Sequence, residues 1–328
     1  MRFLYFSSSV GLGHVTRDYR LGLELKRRGH EITWISSGRA LQYLEHKGEK
    51  IHRISYELKS LGDAFQKSFK GGRLAPGVLD ALSLYRTYAH NKNLLRKVNF
   101  SDYDAVISDE GWEILGVVEA FFITDFEGFP ASFGAFGNYF VKRLNSWYTS
   151  SLSKNIRNYY VGLAKPRTSL FKFFGQLYTH EGAYPESREK GYVLFTYGGT
   201  DAGRFLYSRL RRELGSLLVT LDPERSEYKF NPIPLMAEAS AIITMAGYGT
   251  LLEISAMKKR AIILYPYRDF EQENNARLFE GRKGYRVLRM DSEASFKELL
   301  EDLMKEDPDP PEFKDSAKEI ADDIEEAT

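Results

Sequence analysis

The feature that most constrains this chain is a recurring local pattern. A short apolar run ends in a polar, glycine-bearing loop, and the loop opens a helical stretch. Strands that alternate with helices in this way build a parallel sheet joined by crossover helices. Arg2–Ser8 is the first run, and Gly13–Arg28, closed by Gly29, is its helix. Glu31–Ser36 and Ile51–Ser55 read as the next strands around a helix over Ala40–Lys47. Asp104–Ser108 and Ala120–Thr124 are further short strands, with little room between them for a full crossover helix.

The pattern resumes at Tyr192–Thr196, with helices over Ala202–Leu214, Pro234–Ala239, Thr250–Met257 and Phe270–Glu280. Leu217–Leu221, Ala241–Thr244, Ala261–Tyr265 and Tyr285–Leu288 are the strands between and after them. Ala164–Lys190 mixes Pro166, Gly175, Gly182 and Pro185 with polar residues, the make-up of a connection between domains. The expected division is a first Rossmann-like domain over 1–165, a linker over 166–190 and a second Rossmann-like domain over 191–328. The second ends in acidic helices, Ser295–Lys305 and Glu312–Ile324, on either side of the break Asp307–Pro311. At 328 residues and 43% hydrophobic content the chain is long enough for two cores. Two such α/β domains facing one another put a ligand in the cleft, outside the carboxyl ends of their strands.

Four loops lie at those ends. In Ser7–His14 the spacing of Gly11 and Gly13 permits a tight turn, and free N–H groups at the helix start favour an anion or a hydroxyl-rich ligand. No third glycine follows in dinucleotide register, since Arg17 and Asp18 occupy that stretch. His14 either packs the helix start or accepts a proton from an attacking hydroxyl near neutral pH. Thr196–Gly203 offers Gly198, Gly199 and Thr200 as a cradle for a diphosphate, or a plain turn capped by Asp201. Lacking G-K-[ST], it is not a P-loop. In Met245–Glu253 the residues Thr250 and Glu253 form either a capping box or, through the Glu253 carboxylate, a seat for ribose hydroxyls. The stretch Tyr265–Ala276 brings Glu271, Gln272 and Asn275 to a helix start, where they serve as a solvated first turn or read sugar hydroxyls.

Composition removes several alternatives. A net charge of +1 gives no overall field of the kind a nucleic-acid binder shows. With no cysteine there are no disulfides or thiolate metal sites, and the six histidines form no H-x-x-x-H pair, so no metal site is expected. No run reaches the roughly 18 apolar residues of a spanning helix. The chain starts on a strand pattern and not on a signal sequence, so a cytoplasmic protein is expected. Charge is uneven, since the stretch from Glu301 onward holds twelve Asp/Glu against three Lys. Phe129, Phe133, Phe136, Tyr139, Phe140, Trp147 and Tyr148 interleave with Lys142 and Arg143, which suits an anionic membrane surface as well as ordinary aromatic packing.

The order G-x-G-H, then F-T-Y-G-G-T, then A-G-x-G-T-L-x-E, then P-Y-x-x-x-E-Q-x-x-N-A resembles the GT-B glycosyltransferases of family 28. That is the group of the peptidoglycan lipid II N-acetylglucosaminyltransferase and its archaeal relatives. The C-terminal motifs cover about 191–289 and the N-terminal likeness mainly 2–36. The resemblance implies an inverting, metal-independent transfer of a hexose or N-acetylhexosamine from a UDP-sugar, without a further cofactor. It implies that Gly198, Gly199 and Thr200 hold the diphosphate, that Glu253 binds ribose, and that Gly247, Gly249 and Thr250 line the donor site. Glu271, Gln272 and Asn275 would meet the donor sugar. Gly13 and His14 would lie near an acceptor hydroxyl or phosphate, lipid-linked or on a glycan. Between Leu221 and Pro234 the chain is shorter than the family pattern, and Phe230 and Asn231 are the expected contacts to the base. Asp109 and Glu110, past a strand end, are the alternative catalytic carboxylates; they would also serve a nucleotide-sugar 2-epimerase. A sugar-nucleotide sensor without catalysis would keep the donor loops alone.

Overall fold

The computed structural model describes the chain except residues 68, 71–72, 75–76, 129–133, 181–183, 187, 197–202, 222–229 and 268, and gives the backbone alone for 69–70, 73–74, 78, 134–137 and 140. In the first half, strands β1 (Arg2–Ser7) and β2 (Glu31–Ile35) are joined by helix α1 (Gly13–Arg27). Helices α2 (Gly38–His46), α3 (Leu61–Gln66) and α4 (Val78–Leu95) follow, with a small antiparallel hairpin of β3 (Phe69–Lys70) and β4 (Arg73–Leu74). Then come β5 (Ala105–Asp109), β6 (Phe121–Thr124), α5 (Gly134–Leu152), β7 (Arg157–Val161) and β8 (Lys172–Gly175). The six long-range strands form one parallel sheet in the order β2-β1-β5-β6-β7-β8.

The second half forms a five-stranded parallel sheet. Its strands are β9 (Val193–Thr196), β10 (Leu218–Leu221), β11 (Ala241–Met245), β12 (Ala261–Tyr265) and β13 (Tyr285–Arg289), in the order β10-β9-β11-β12-β13. Between and after them run α6 (Tyr207–Leu214), α7 (Ile233–Glu238), α8 (Tyr248–Ala256), α9 (Phe270–Arg277), α10 (Phe296–Leu303) and α11 (Ala317–Ala327). Both sheets are covered on both faces, which is why β5, β6, β9 and β11 are buried along their whole length and are largely apolar. In the first domain Tyr5 and Trp34 are fully buried and stack at 4.5 Å between ring centres. Gly22 lets α1 close on them, since a Cβ there would stand 2.6 Å from the Trp34 ring.

Three local expectations change. Ile51 makes a single bridge to Trp34, and Arg53–Tyr56 is a 3-10 turn in place of a third strand. The His52 ring accepts the Ile54 N–H and so caps that turn, and β5 takes the place beside β1. Helix α8 begins at Tyr248 with Gly247 as its cap, so Thr250 is already inside the helix and no capping box forms with Glu253. The acidic tail, assigned as a whole to the second domain, divides. The α10 residues Phe296, Leu300 and Leu303 pack with Leu210 and Leu214 of α6, whereas α11 returns to the first domain and packs along α1.

Charge complementarity fixes that return. Arg28 bonds Asp322 and Glu325, His30 bonds Glu325, and Arg20 bonds Asp315. Asp323 accepts from Arg157, Lys172 and the Tyr159 hydroxyl. Beneath them Ala317, Ile320, Ala321 and Ile324 are fully buried. Among the described residues no helix is long and apolar enough to cross a membrane.

Candidate active site

In each sheet the strand order reverses beside its first strand, β1 in one and β9 in the other, and loops leaving such a switch point splay apart and open a crevice. In the first sheet the register Ser7↔Asp109 brings the carboxyl ends of β1 and β5 level, so the turn Ser8–Leu12 and the residues after Asp109 share one rim. Gly11 makes that turn at φ +72°, a conformation glycine adopts without a Cβ penalty. Across from it stand the start of α8 after β11 and the start of α9 after β12. The cleft between them holds about 700 Å³ of space, part of it open solvent. Its first wall carries Gly11, Gly13, His14, Arg17, Phe65 and Asp125; its second carries Gly247, Tyr248, Asp269, Glu271 and Gln272.

His14 and Arg17 lie one turn apart on α1 and therefore face the same side. The His14 Nδ1 is 3.0 Å from Asp109 Oδ1. Arg17, 1% exposed, grips both oxygens of Asp109 and reaches Asp125 at 2.6 Å. Arg17 also lies 3.1 Å from His14 Nδ1, but a guanidinium has only donors. The ionised Asp109 carboxylate, which only accepts, selects the tautomer with the ring proton on Nδ1 and the lone pair on Nε2, against the Arg17 donor at the same nitrogen. Burial alone would push the Asp109 carboxyl up, yet Arg17 first and His14 second hold it well below the ordinary range. For His14 burial works against the charged form, but Asp109 prevails over it and over Arg17, and the imidazole is raised above its ordinary value. The result is an oriented imidazole whose basicity an ionised carboxylate supports.

Glu110 lies beside this pair, 3.8 Å from His14 Nε2. It sits at φ +45°, a left-handed backbone that non-glycine residues rarely adopt and that concentrates at functional sites. Thr124 Oγ1 and the Asp125 N–H donate to its Oε1 and hold it there. Burial, aided by the Asp125 carboxylate, pushes its carboxyl up to about 8. On the opposite wall Asp269 caps α9 by accepting the Gln272 N–H at 3.1 Å, and also accepts from Gln272 Nε2 at 2.9 Å. Gln272 Oε1 is buried without a protein partner, an acceptor available to a ligand hydroxyl.

Of the residues singled out from the sequence, Gly11, Gly13, His14, Gly247, Glu271 and Gln272 line the cleft together. Asp109 and Glu110 stand behind and beside His14. Asn275 does not line it; its amide donates to the Ala246 carbonyl and braces the loop before α8. Glu253 is also set back, buried one turn into α8, where it accepts from Thr179 and burial pushes its carboxyl up to about 7. Gly249 packs so closely under Thr179 that a Cβ would stand 2.9 Å from its methyl, and Thr250 lies in the same turn. Phe230 packs its ring on Tyr43 and His46 of α2, and Asn231 is exposed; neither lines the cleft. Gly198, Gly199 and Thr200 lie outside the described residues.

The aromatic stretch divides. Tyr148 is buried and stacks on Trp112 at 5.4 Å, whereas Tyr139, Lys142 and Arg143 are exposed. Phe129 and Phe133 lie outside the described residues, as do the side chains of Phe136 and Phe140.

Sequence reasoning missed Arg17, Asp125, Tyr248 and Asp269. For Arg17 a signal was present, its i,i+3 spacing from His14. Asp269 carried one too, as an acid directly ahead of α9 at its N-cap; for Tyr248 and Asp125 none was, because Tyr248 matters through its ring, 5.1 Å from the Arg17 guanidinium in the other domain, and Asp125 through a 2.6 Å bond to Arg17.

Residues 207–327 match the glycosyltransferase family 28 C-terminal domain. A protein of Methanosarcina mazei described as an uncharacterized glycosyltransferase is 26% identical, over 85% of this chain and 84% of its own. MurG of Acinetobacter baumannii superposes with a TM-score of 0.55 at 10% identity, over 99% of both chains. The glycosyltransferase SsfS6 of Streptomyces sp. SF2575, complexed with thymidine diphosphate, superposes at 0.55 and 14% identity, over 88% of this chain and 87% of that one. Two parallel-sheet domains facing across a polar cleft, with these structural likenesses, define an α/β GT-B fold, and the family 28 C-terminal match with the archaeal relative marks the chain as a glycosyltransferase. Within that class the chain is family 28-like.

Proposed function

We propose that the protein moves a hexose or N-acetylhexosamine from a UDP-sugar to a hydroxyl or phosphate acceptor, with inversion and without a metal ion. The observation that carries this reading is the His14–Asp109 pair on the cleft wall, with Nε2 of His14 free of the Asp109 bond. Nε2 takes the proton of the acceptor hydroxyl. The acceptor oxygen then bonds to the anomeric carbon from the face opposite the diphosphate, and UDP leaves with the electron pair of the breaking bond. Inversion follows from that single displacement. Gly198, Gly199 and Thr200 are the residues that take the diphosphate. Glu271 and Gln272 take the donor sugar and Glu253 the ribose. The exposed Tyr139, Lys142 and Arg143 suit a lipid-linked acceptor at an anionic membrane surface, and the site of action is the cytoplasm.

An epimerase would need two carboxyls facing the sugar. Asp109 is 0% exposed and fully engaged by Arg17 and His14, which favours transfer. Incubation with UDP-GlcNAc separates the readings: slow release of UDP marks a transferase, UDP-ManNAc an epimerase, and binding without turnover a sensor. His14→Ala lowers kcat by about 10²–10⁴-fold, the usual worth of a general base, and leaves UDP affinity near wild type. A mutant within about threefold of wild-type kcat moves the base elsewhere.

A further inference from the structure

One side chain joins the two walls of the cleft and has no part in the transfer step. Tyr248 opens α8, one residue past Gly247, and is buried. Its hydroxyl accepts the Leu177 N–H at 2.7 Å and donates to the Leu177 carbonyl at 3.1 Å. That ties the start of α8 to the stretch after β8 that joins the two domains. The Tyr248 ring lies over the Arg17 guanidinium of the first domain, 5.1 Å from its centre. The edge of that guanidinium is already spent within the first domain. Nε and one terminal nitrogen donate to Asp109, and the other donates to Asp125 and the Val161 carbonyl. Its donors all lie in the plane, so the remaining face is matched by an aromatic ring and not by another acceptor. With both partners buried, such a cation–π contact is stronger than one in water.

We propose that Tyr248 is a positioning residue for the His14–Asp109 pair, supplied by the opposite domain: its ring holds the Arg17 guanidinium in the plane in which it grips both Asp109 oxygens. The proposal rests on the reading of His14 as base only through kcat; the contacts themselves do not depend on turnover. Because Tyr248 follows Gly247 directly, one side chain fixes the base network relative to the rim of the donor wall. His14 is faced by Arg17 on its own helix, by Asp109 and Glu110 after β5, by Asp125 after β6, and by Asp269 and Glu271 across the cleft. Arg17 lowers the imidazole, whereas Asp109 and Glu110 raise it. If Arg17 loosens, Asp109 presents more of its charge to His14 and the midpoint climbs.

The test compares Tyr248→Leu with Tyr248→Phe in the full chain. It reads the His14 midpoint by NMR titration, kcat from UDP release with UDP-GlcNAc, and the Kd for UDP by calorimetry. Leucine fills the space without a π face, so the midpoint climbs by about half a pH unit or more. Its kcat falls about five- to thirtyfold, the worth of a desolvated cation–π contact. Phenylalanine keeps the ring and loses the tie to Leu177. Its melting temperature falls, but its midpoint stays within about 0.3 unit of wild type and its kcat falls less than that of Tyr248→Leu. In both variants the Kd for UDP stays within about threefold of wild type. A midpoint unmoved in a folded Tyr248→Leu overturns the proposal. So does a Tyr248→Phe that matches the leucine variant in midpoint and kcat, which marks the hydroxyl tie as the whole effect. UDP binding weakened about tenfold or more in Tyr248→Leu also overturns it, marking direct contact with the donor. Tyr248→Met, again without a ring, repeats the reading if the leucine variant does not fold. If the midpoint moves as stated while His14→Ala retains full kcat, the positioning stands and the assignment of the base falls.

Discussion

Replacing Asp109 with asparagine removes one charge from the site and leaves its shape nearly intact. In wild type the carboxylate takes the His14 Nδ1 proton and two N–H groups of Arg17. A hydrogen bond to a charged group contributes about 1.5–3 kcal/mol, which corresponds to about 1–2 pH units on the midpoint of His14. Because Asp109 raises His14, its loss leaves burial and Arg17 opposed only by the weaker pull of Glu110, and the midpoint falls. The acid limb of kcat therefore moves to lower pH by about 1–2 units. The plateau drops as well, by up to about 10⁴-fold, because the asparagine amide can donate to Nδ1 and turn the lone pair of Nε2 into an N–H. Arg17 is left with Asp125 as its buried counter-ion, a loss of about 3–5 kcal/mol in stability at pH 7. The lowered Asp109 contributes that stability above its unfolded value near 4 and gives it up as pH falls through the folded value, so the variant loses less on acidification. Initial rates of UDP release from pH 5 to 9, with urea unfolding at pH 7 and at acid pH below the unfolded value of Asp109, measure all of these. An acid limb that stays in place or climbs, in a protein showing the expected loss of stability, refutes the assignment of the Asp109–His14 pair.

Two other changes test the frame around the site. Glu253 is raised by burial to about 7, so the folded state keeps a proton that the unfolded chain releases near 4.5, and stability declines as pH rises between those values. Glu253→Gln removes that slope and is more stable than wild type at pH 8 by about 1–3 kcal/mol, seen in urea titrations at both pH values. Glu253→Ala also raises the Kd for UDP by about ten- to a hundredfold if the carboxyl holds the ribose, and calorimetry that finds UDP binding unchanged confines Glu253 to the helix. Asp323→Ala strips Arg157, Lys172 and Tyr159 of their shared acceptor; since Arg157 and Lys172 are partly exposed, the expected cost is modest, about 1–2 kcal/mol. A variant with an unchanged melting temperature would show that apolar packing alone docks α11.

The sequence by itself determined the two-domain α/β plan and three sides of the site. Buried parallel strands must be apolar on both faces, so β1, β9, β11 and β12 announce themselves as largely apolar runs, and the loops after β1 and β11 carry the glycines that tight strand-to-helix turns require. His14, Gln272 and Gly247 were legible because each sits within a few residues of such a turn. Local pattern misled at His52, whose ring caps a turn where a strand was expected, and at Gly247, whose backbone starts α8 ahead of Thr250. Only the tertiary structure decided the charge state of the site. His14, Arg17, Asp109 and Asp125 come from three separate stretches of chain, and their protonation depends on distances of a few ångströms and on the exclusion of water. It also decided where the acidic tail goes, since α11 carries the same amphipathic signal whichever domain receives it. Arg28, Arg157 and Lys172, which select the first domain, lie far away in the chain and meet the tail only after both sheets have formed.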